Sequence, residues 1–233
     1  MKRISVFFYR TEAGGEPVRE WLKSLKPVSD RTRIGIDIGR VEFGWPIGMP
    51  TCRPLKDGLY EVRSGISDGR IARVIFYIDF EGQMVLLHGF IKKSQKTPDA
   101  IWNWLARTNE FMRQAQEESM KKSEQQNIHT GSSFEDFLES EGIRNEVESV
   151  AIKQVLAWQF QQAMEEQQKT KRAMAKELKT SRSQLDRLLD PANTAVSLET
   201  ITRAANVLGK QLVFEIRDKP VSPLKVSKRK ASC

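Results

Sequence analysis

The chain has 233 residues, 39% of them hydrophobic and 29% charged, with a formal net charge of +8. That size suits one large or two small soluble domains, and no apolar run approaches the roughly 20 residues that a membrane helix needs. The start, MKRISVFFYRTE, meets charge too soon after its apolar run to read as a signal peptide. Cys52 and Cys233 are the only cysteines. Two distant thiols make neither a disulfide framework nor a zinc site, so the expectation is a cytoplasmic chain without metal or other cofactor.

The charge is uneven. Residues 1–116 carry 19 Lys/Arg against 13 Asp/Glu, residues 117–150 carry 3 against 9, and residues 151–233 carry 16 against 8. Two basic modules flank an acidic connector. Basic modules favour polyanions through counterion release, and an acidic segment can cover a basic neighbour. The plainer alternative is solvated surface.

Residues 3–9 are rich in β-branched and aromatic types and read as a strand. Pro17 then opens a helix with Val18, Trp21, Leu22 and Leu25 at i, i+3, i+4, i+7. A second helix over about 29–43 puts Ile34, Ile38 and Val41 on one stripe, and Gly44 to Pro50 is a loop. Three strands follow, at 59–64, 70–79 and 83–91, the last two joined at Glu81-Gly82. A helix from Pro98 to about 112 closes a β-α-α-β-β-β-α unit.

Residues 114–131 are polar and read as a linker. Ser132 with Glu135 matches a capping box ahead of a short helix carrying Phe134, Phe137 and Leu138. A longer helix over 147–167 should face Ile152, Val155, Leu156, Phe160 and Ala163 inward. Short helices near 170–178, 181–189 and 197–208 and a closing strand at 210–217 complete the second unit. The tail from 218 to 233 is basic and reads as disordered. The domains are thus 1–113, a linker at 114–131, 132–217 and a tail.

Strand alternation decides which side chains can meet. Leu86, His88, Phe90 and Lys92 should share a face of the last strand, Arg73 and Tyr77 one of the middle strand, and Glu61 and Arg63 one of the first. With suitable registers, Arg63, Arg73, Tyr77 and His88 converge, ringed by Lys56, Lys92, Lys93 and Lys96. Such a set suits metal-free RNA cleavage. The 2′-OH attacks the adjacent phosphate while one group takes its proton and another protonates the leaving 5′ oxygen. Cations stabilise the added negative charge. Arg binds two phosphate oxygens at once, and an aromatic can stack an unpaired base. The plainer readings are a core histidine, an Arg63–Glu61 pair and a solvated lysine loop.

In the second unit, Ala175 is small where two helices cross, and Leu178, Leu185 and Leu188 are spaced to close a three-helix core. Ser181 can cap the following helix, which exposes Arg182, Ser183, Gln184 and Arg187, groups able to read base edges and phosphates.

The strings LYEVR (59–63), RVIFY (73–77) and LHGFIKKSQKTP (87–98) closely resemble HigB-type toxins of the RelE/ParE superfamily over residues 1–112. The resemblance implies an α+β toxin that cleaves mRNA, usually on the ribosome. It places catalytic residues at Arg63, Arg73, His88, Lys92 and Lys93, with Lys56 the outermost of that basic set; with Lys56, the residues Tyr77, Phe90 and Lys96 of the same strands and loops are expected to hold RNA. Residues 129–217 resemble HigA-type antitoxins with an XRE-family helix-turn-helix, which implies an all-α domain with a short C-terminal strand. Ser181, Arg182, Ser183, Gln184 and Arg187 would then contact operator DNA, and homodimerisation would run through this half. Lys179 departs from the pattern, since such turns usually carry Gly.

The combined expectation is a toxin fused to its own antitoxin and autorepressor, with the acidic segment docked on the first unit through Phe134, Phe137 and Leu138. Linkage would hold the antitoxin half at about millimolar effective concentration. The alternatives are a repressor carrying an inert toxin-like domain and a ParE-type gyrase inhibitor.

Overall fold

The structure, a computed structural model, describes residues 2–92 and 130–213. Strand β1 (Val6–Tyr9) is followed by helix α1 (Pro17–Ser24), which starts on Pro17 because its fixed φ and missing N–H suit the first helical position. Helix α2 (Val28–Gly44) leads into β2 (Cys52–Pro54), β3 (Leu59–Gly65), β4 (Ile71–Ile78) and β5 (Met84–Lys92). β2 lies just past the expected Gly44–Pro50 loop, at residues to which the sequence assigns no element. Its three residues are too few to show alternation, and they are held by pairing with Tyr60 to Val62.

After Thr130 come β6 (Thr130–Ser133), α3 (Phe134–Ser140), α4 (Arg144–Glu166), α5 (Lys171–Glu177), α6 (Arg182–Leu189) and α7 (Leu198–Val207). The result is a six-stranded mixed sheet, in the order β2-β3-β4-β5-β1-β6, followed by a helical region. β1 runs parallel to β5, with Phe8 opposite Leu86, and β6 runs antiparallel to β1.

Residues 130 and 131, expected in the linker, therefore belong to a sheet edge. Glu16 fixes that edge by accepting the Ser132 N–H at 2.6 Å and its hydroxyl at 2.7 Å. A Cβ at Gly131 would lie 2.5 Å from Glu16 Oε1 and 2.7 Å from Phe8 O, so only glycine fits. With Ser132 engaged, the cap of α3 is Ser133, whose hydroxyl accepts the Asp136 N–H at 3.0 Å. This corrects the expected Ser132–Glu135 box.

Two cores result. The first lies between the sheet and α1 and α2, around Phe8, Leu22, Ile34, Ile38, Val62, Val74, Phe76 and Leu86. It continues into Phe134, Phe137, Leu138 and Val147. α4 packs along the outer side of α2, where Gly39 and Gly44 allow close approach. A Cβ at either would come within 3.1 Å of Ala151 or Val155. The second core holds Phe160, Met164, Met174, Leu178, Leu185, Leu188 and Leu208. α4 thus contributes its first half to one core and its last turns to the other.

The inward face of α4 differs from the expected one. Ile152 is 41% exposed and Leu156 is half-buried, while Ala151, Val155, Ala157, Phe160 and Ala163 are buried. Small residues, not the largest apolar ones, face the glycines of α2. Residues 210–213 form no strand. The expected helix from Pro98, Lys93, Lys96, the linker up to 129 and the segment from 214 onward lie outside the described residues. Among the described residues, no helix is long and apolar enough to cross a membrane.

Candidate functional sites on the sheet and on α6

β3, β4 and β5 bring most of the expected residues together. Arg63 lies directly opposite Arg73, Arg73 opposite Phe90, Ile75 opposite His88, and Ile71 opposite Lys92. The register places Arg63, Arg73, Tyr77, His88, Phe90 and Lys92 on one face of the sheet, away from the face packed under α1 and α2. Leu86 is the exception. A bulge between Ile75 and Phe76 shifts the pairing, so Leu86 falls opposite Phe76 in the helix-covered core. Leu87 joins Tyr9, Leu59, Ile75, Tyr77 and Val85 in a small cluster on the other face. Lys56 is exposed in the loop before β3.

The electrostatic centre of this face is Glu61, which sequence reading treated only as a partner that would make Arg63 uninteresting. It is 1% exposed and accepts Arg73 Nη1 at 2.8 Å, with Arg63 Nε 3.8 Å away. One buried carboxylate therefore holds two guanidiniums. Arg73 is itself 8% exposed, whereas Arg63, His88, Phe90 and Lys92 are half-buried. The i, i+2 spacing of Glu61 and Arg63 was the only signal for this triad, because the cross-strand register is not written in the sequence.

Burial lowers the His88 pKa below the usual histidine value, which favours the neutral imidazole. His88 also lies 5.8 Å from the Phe90 ring. Burial, aided by Asp79 and Tyr9, pushes the Tyr77 phenol well above its ordinary value. Its hydroxyl is buried with no hydrogen-bond partner among the described residues. Tyr77 is 5% exposed, so base stacking on it, as expected from the strand alternation, is not open to this arrangement. Burial and the Glu61 charge push the Cys52 thiol up to about 12, which keeps it an un-ionised core group. No group of three potential metal ligands occurs among the described residues.

Residues 20–103 match the family described as "Phage derived protein Gp49-like (DUF891)". The Gp49-like family is a toxin-like family of toxin–antitoxin systems within the RelE/HigB-like superfamily, and it is generally associated with RNase toxins. No curated protein matches the chain. The Gp49-like segment runs from within α1 to beyond β5, so it includes the whole Arg63–Arg73–His88 face. It ends before β6, and the region from Thr130 onward stands on its own geometry.

That region meets the N-terminal residues, β1 and α2 on the helix-covered side of the sheet. Phe134 and Phe137 set their rings edge-on to Phe8, with centroids 6.1 and 5.5 Å away. Leu138 is 1% exposed in the same core. The acidic residues Glu135 and Glu148 reach Lys2 at 3.0 and 3.5 Å, and Glu141 pairs with Arg31. Glu42 of α2, 3% exposed, shares Lys2 at 3.1 Å. Burial, aided by the Glu148 and Glu135 charges, pushes Glu42 up to about 7 against the opposing pull of Lys2. Lys2 loses to burial but gains more from Glu42 and Glu135, so its own pKa is raised.

In the helical region, α5 and α6 are joined by a turn in which Lys179 takes φ of +51°, the left-handed conformation that glycine adopts most easily. The hydroxyl of Ser181 caps α6 by accepting the Gln184 N–H at 3.2 Å. Arg182, Ser183, Gln184 and Arg187 are all exposed, while Leu185, Leu188 and Leu189 are buried. Sequence reading missed Lys153. It is 5% exposed on α4 and donates to the carbonyls of Leu188 and Asp190, both at 2.7 Å. A cation placed at the C-terminal end of α6 compensates the carbonyls left open there.

Proposed function

We propose that the chain is a toxin–antitoxin fusion. Its Gp49-like segment is a metal-independent mRNA endonuclease that acts on the ribosome. The segment from β6 onward is its cognate antitoxin, carrying a helix-turn-helix that represses from operator DNA as a homodimer in the cytoplasm. The observation that carries the reading is the convergence, within the Gp49-like match, of Arg63, Arg73, His88 and Lys92 on one sheet face.

The roles follow from accessibility. Neutral His88 is suited to take the 2′-OH proton. Arg63 and Lys92, both half-buried, are placed to meet the phosphate, with Lys93 following in sequence. Arg73 lies beneath them and adds positive potential, with Glu61 acting as the positioning residue for both arginines. The docked segment β6–α3–α4 lies on the opposite, helix-covered side. Neutralisation on this arrangement restrains the toxin and blocks its approach to the ribosome; it does not plug the basic face. In the helical region, the exposed side of α6 supplies Arg182, Ser183, Gln184 and Arg187 for base and phosphate contacts, with Ser181 fixing the helix start.

The burial of Arg73 favours a second reading, a repressor with an inert toxin-like domain. One experiment separates them. The full chain carrying Phe134→Ala and Phe137→Ala is induced, and growth and mRNA length are followed. The fusion reading expects arrest and shortened mRNA, both relieved by adding Arg63→Ala. Normal growth of the loosened chain supports the inert reading, and DNA damage without mRNA loss points to gyrase.

A further inference from the structure

We propose that the cleft between α2 and the β2–β3–β4 end of the sheet binds a phosphate group. The cleft has a volume of about 330 Å³ and is lined by Arg33, Asp37, Arg40, Thr51, Arg63 and Ile71, among others. Arg33, Asp37 and Arg40 fall at i, i+4 and i+7, so they share one side of α2. Arg33 and Arg40 flank the Asp37 carboxylate there, while Arg63 lines the sheet side of the cleft and turns its Nε to Glu61 at 3.8 Å. Asp37 is 7% exposed and is already engaged by Arg40 at 3.5 Å and by the Ser64 hydroxyl. Burial outweighs these partners and raises its pKa above the ordinary aspartate value.

Unfilled hydrogen-bonding capacity points to the ligand. Thr51 is 2% exposed and lines the cleft, yet its Oγ1 has no hydrogen-bond partner among the described residues. The Nε of Arg40 is likewise buried without one. Buried polar atoms are nearly always satisfied, so two orphans beside one opening indicate a missing group. The Arg40 Nε is an obligate donor, and the Thr51 hydroxyl can donate. A tetrahedral phosphate offers enough acceptor oxygens to meet guanidinium forks from more than one side. Arg33 is exposed at the mouth and is placed to draw the anion in.

The phosphate can come from a nucleic-acid backbone or from a free anion, and the chemistry of the cleft is the same for both. This inference rests on the cleft and not on RNA cleavage, so the two can fail separately. The test is a titration of the full-length protein with inorganic phosphate at constant ionic strength, read by calorimetry, beside a short 2′-O-methyl RNA that cannot be cleaved. Saturable phosphate binding at one site is expected. Arg33→Gln should weaken it about tenfold, the loss of one charge-assisted hydrogen bond. Thr51→Val should weaken it, while Thr51→Ser should retain it. An oligomer that binds and is displaced by phosphate identifies nucleic acid as the source. Phosphate binding without oligomer binding identifies the free anion. Absence of saturable binding by either probe, or binding unchanged in both Arg33→Gln and Thr51→Val with circular dichroism intact, overturns the inference.

Discussion

Phe137→Ala is the sharpest probe of how the region after Thr130 is held. Phe137 is 1% exposed, stacks on Phe134 at 6.0 Å and meets Phe8 edge-on at 5.5 Å. Truncating a fully buried phenylalanine costs about 3–5 kcal/mol, which combines lost transfer energy with the cavity left behind. The surrounding ion pairs offer little compensation. Lys2 and Arg31 hold Glu135, Glu148 and Glu141 at partly exposed positions, where such pairs are worth about 0–1 kcal/mol. At 1.4 kcal/mol per tenfold, amide protection in α3 and the first half of α4 should fall by about two to three and a half orders of magnitude. Hydrogen exchange of the full chain reads this directly. Unchanged protection in α3 would refute the idea that the aromatics hold the segment. An equal loss in β3 and β4 would show that the segment is an inseparable part of one fold and not a docked element.

Three further outcomes are expected. Glu42 ionises near 4.5 when unfolded and near 7 when folded, so between those values the folded chain binds more protons. Its contribution to stability should therefore fall by up to about 3 kcal/mol as pH rises through that window and then level off. Urea unfolding of Glu42→Gln beside the native chain should show this as a pH-dependent difference, and parallel curves would contradict it. Lys179→Gly should stabilise the helical region by up to about 1 kcal/mol by relieving a left-handed non-glycine residue, which a thermal melt detects. Arg182→Ala with Arg187→Ala should weaken operator binding by about 1–3 kcal/mol for each base-contacting arginine in a gel shift at fixed salt. Unchanged binding would remove α6 from the DNA interface.

Much of the fold is legible in the chain because period-2 and period-3.6 patterns are local. β3, β4, β5, α1 and α2 all fall within a residue or two of where alternation places them. Non-local features stayed hidden. The Thr-Gly-Ser-Ser of β6 has no apolar alternation and becomes a strand only because β1 offers an unpaired edge and Glu16 a matching carboxylate. The inward face of α4 is rotated toward Ala151 because the glycines of α2 admit only small neighbours. The bulge that sends Leu86 to the other face has no residue signature of its own. At the candidate site, the alternation correctly put Arg63, Arg73 and His88 on one side. The burial of Arg73 against Glu61 depends on cross-strand register and is beyond local pattern. Lys153, a charged residue on a helix facing α6, reads from sequence as solvated surface.

The central claim is that the basic face of β3–β5 cleaves RNA by 2′-OH attack without a metal. The most direct measurement is the chemistry of the RNA ends left by the docking-loosened chain on ribosome-bound mRNA pretreated to remove ends of other origin. In-line attack by the 2′ oxygen leaves a 2′,3′-cyclic phosphate on one fragment and a 5′-hydroxyl on the other. The account predicts those ends, formed without any metal ion beyond what the ribosome itself needs, and absent when Arg63→Ala is added. Products with 5′-phosphates, or identical cleavage by the Arg63→Ala chain, would contradict it.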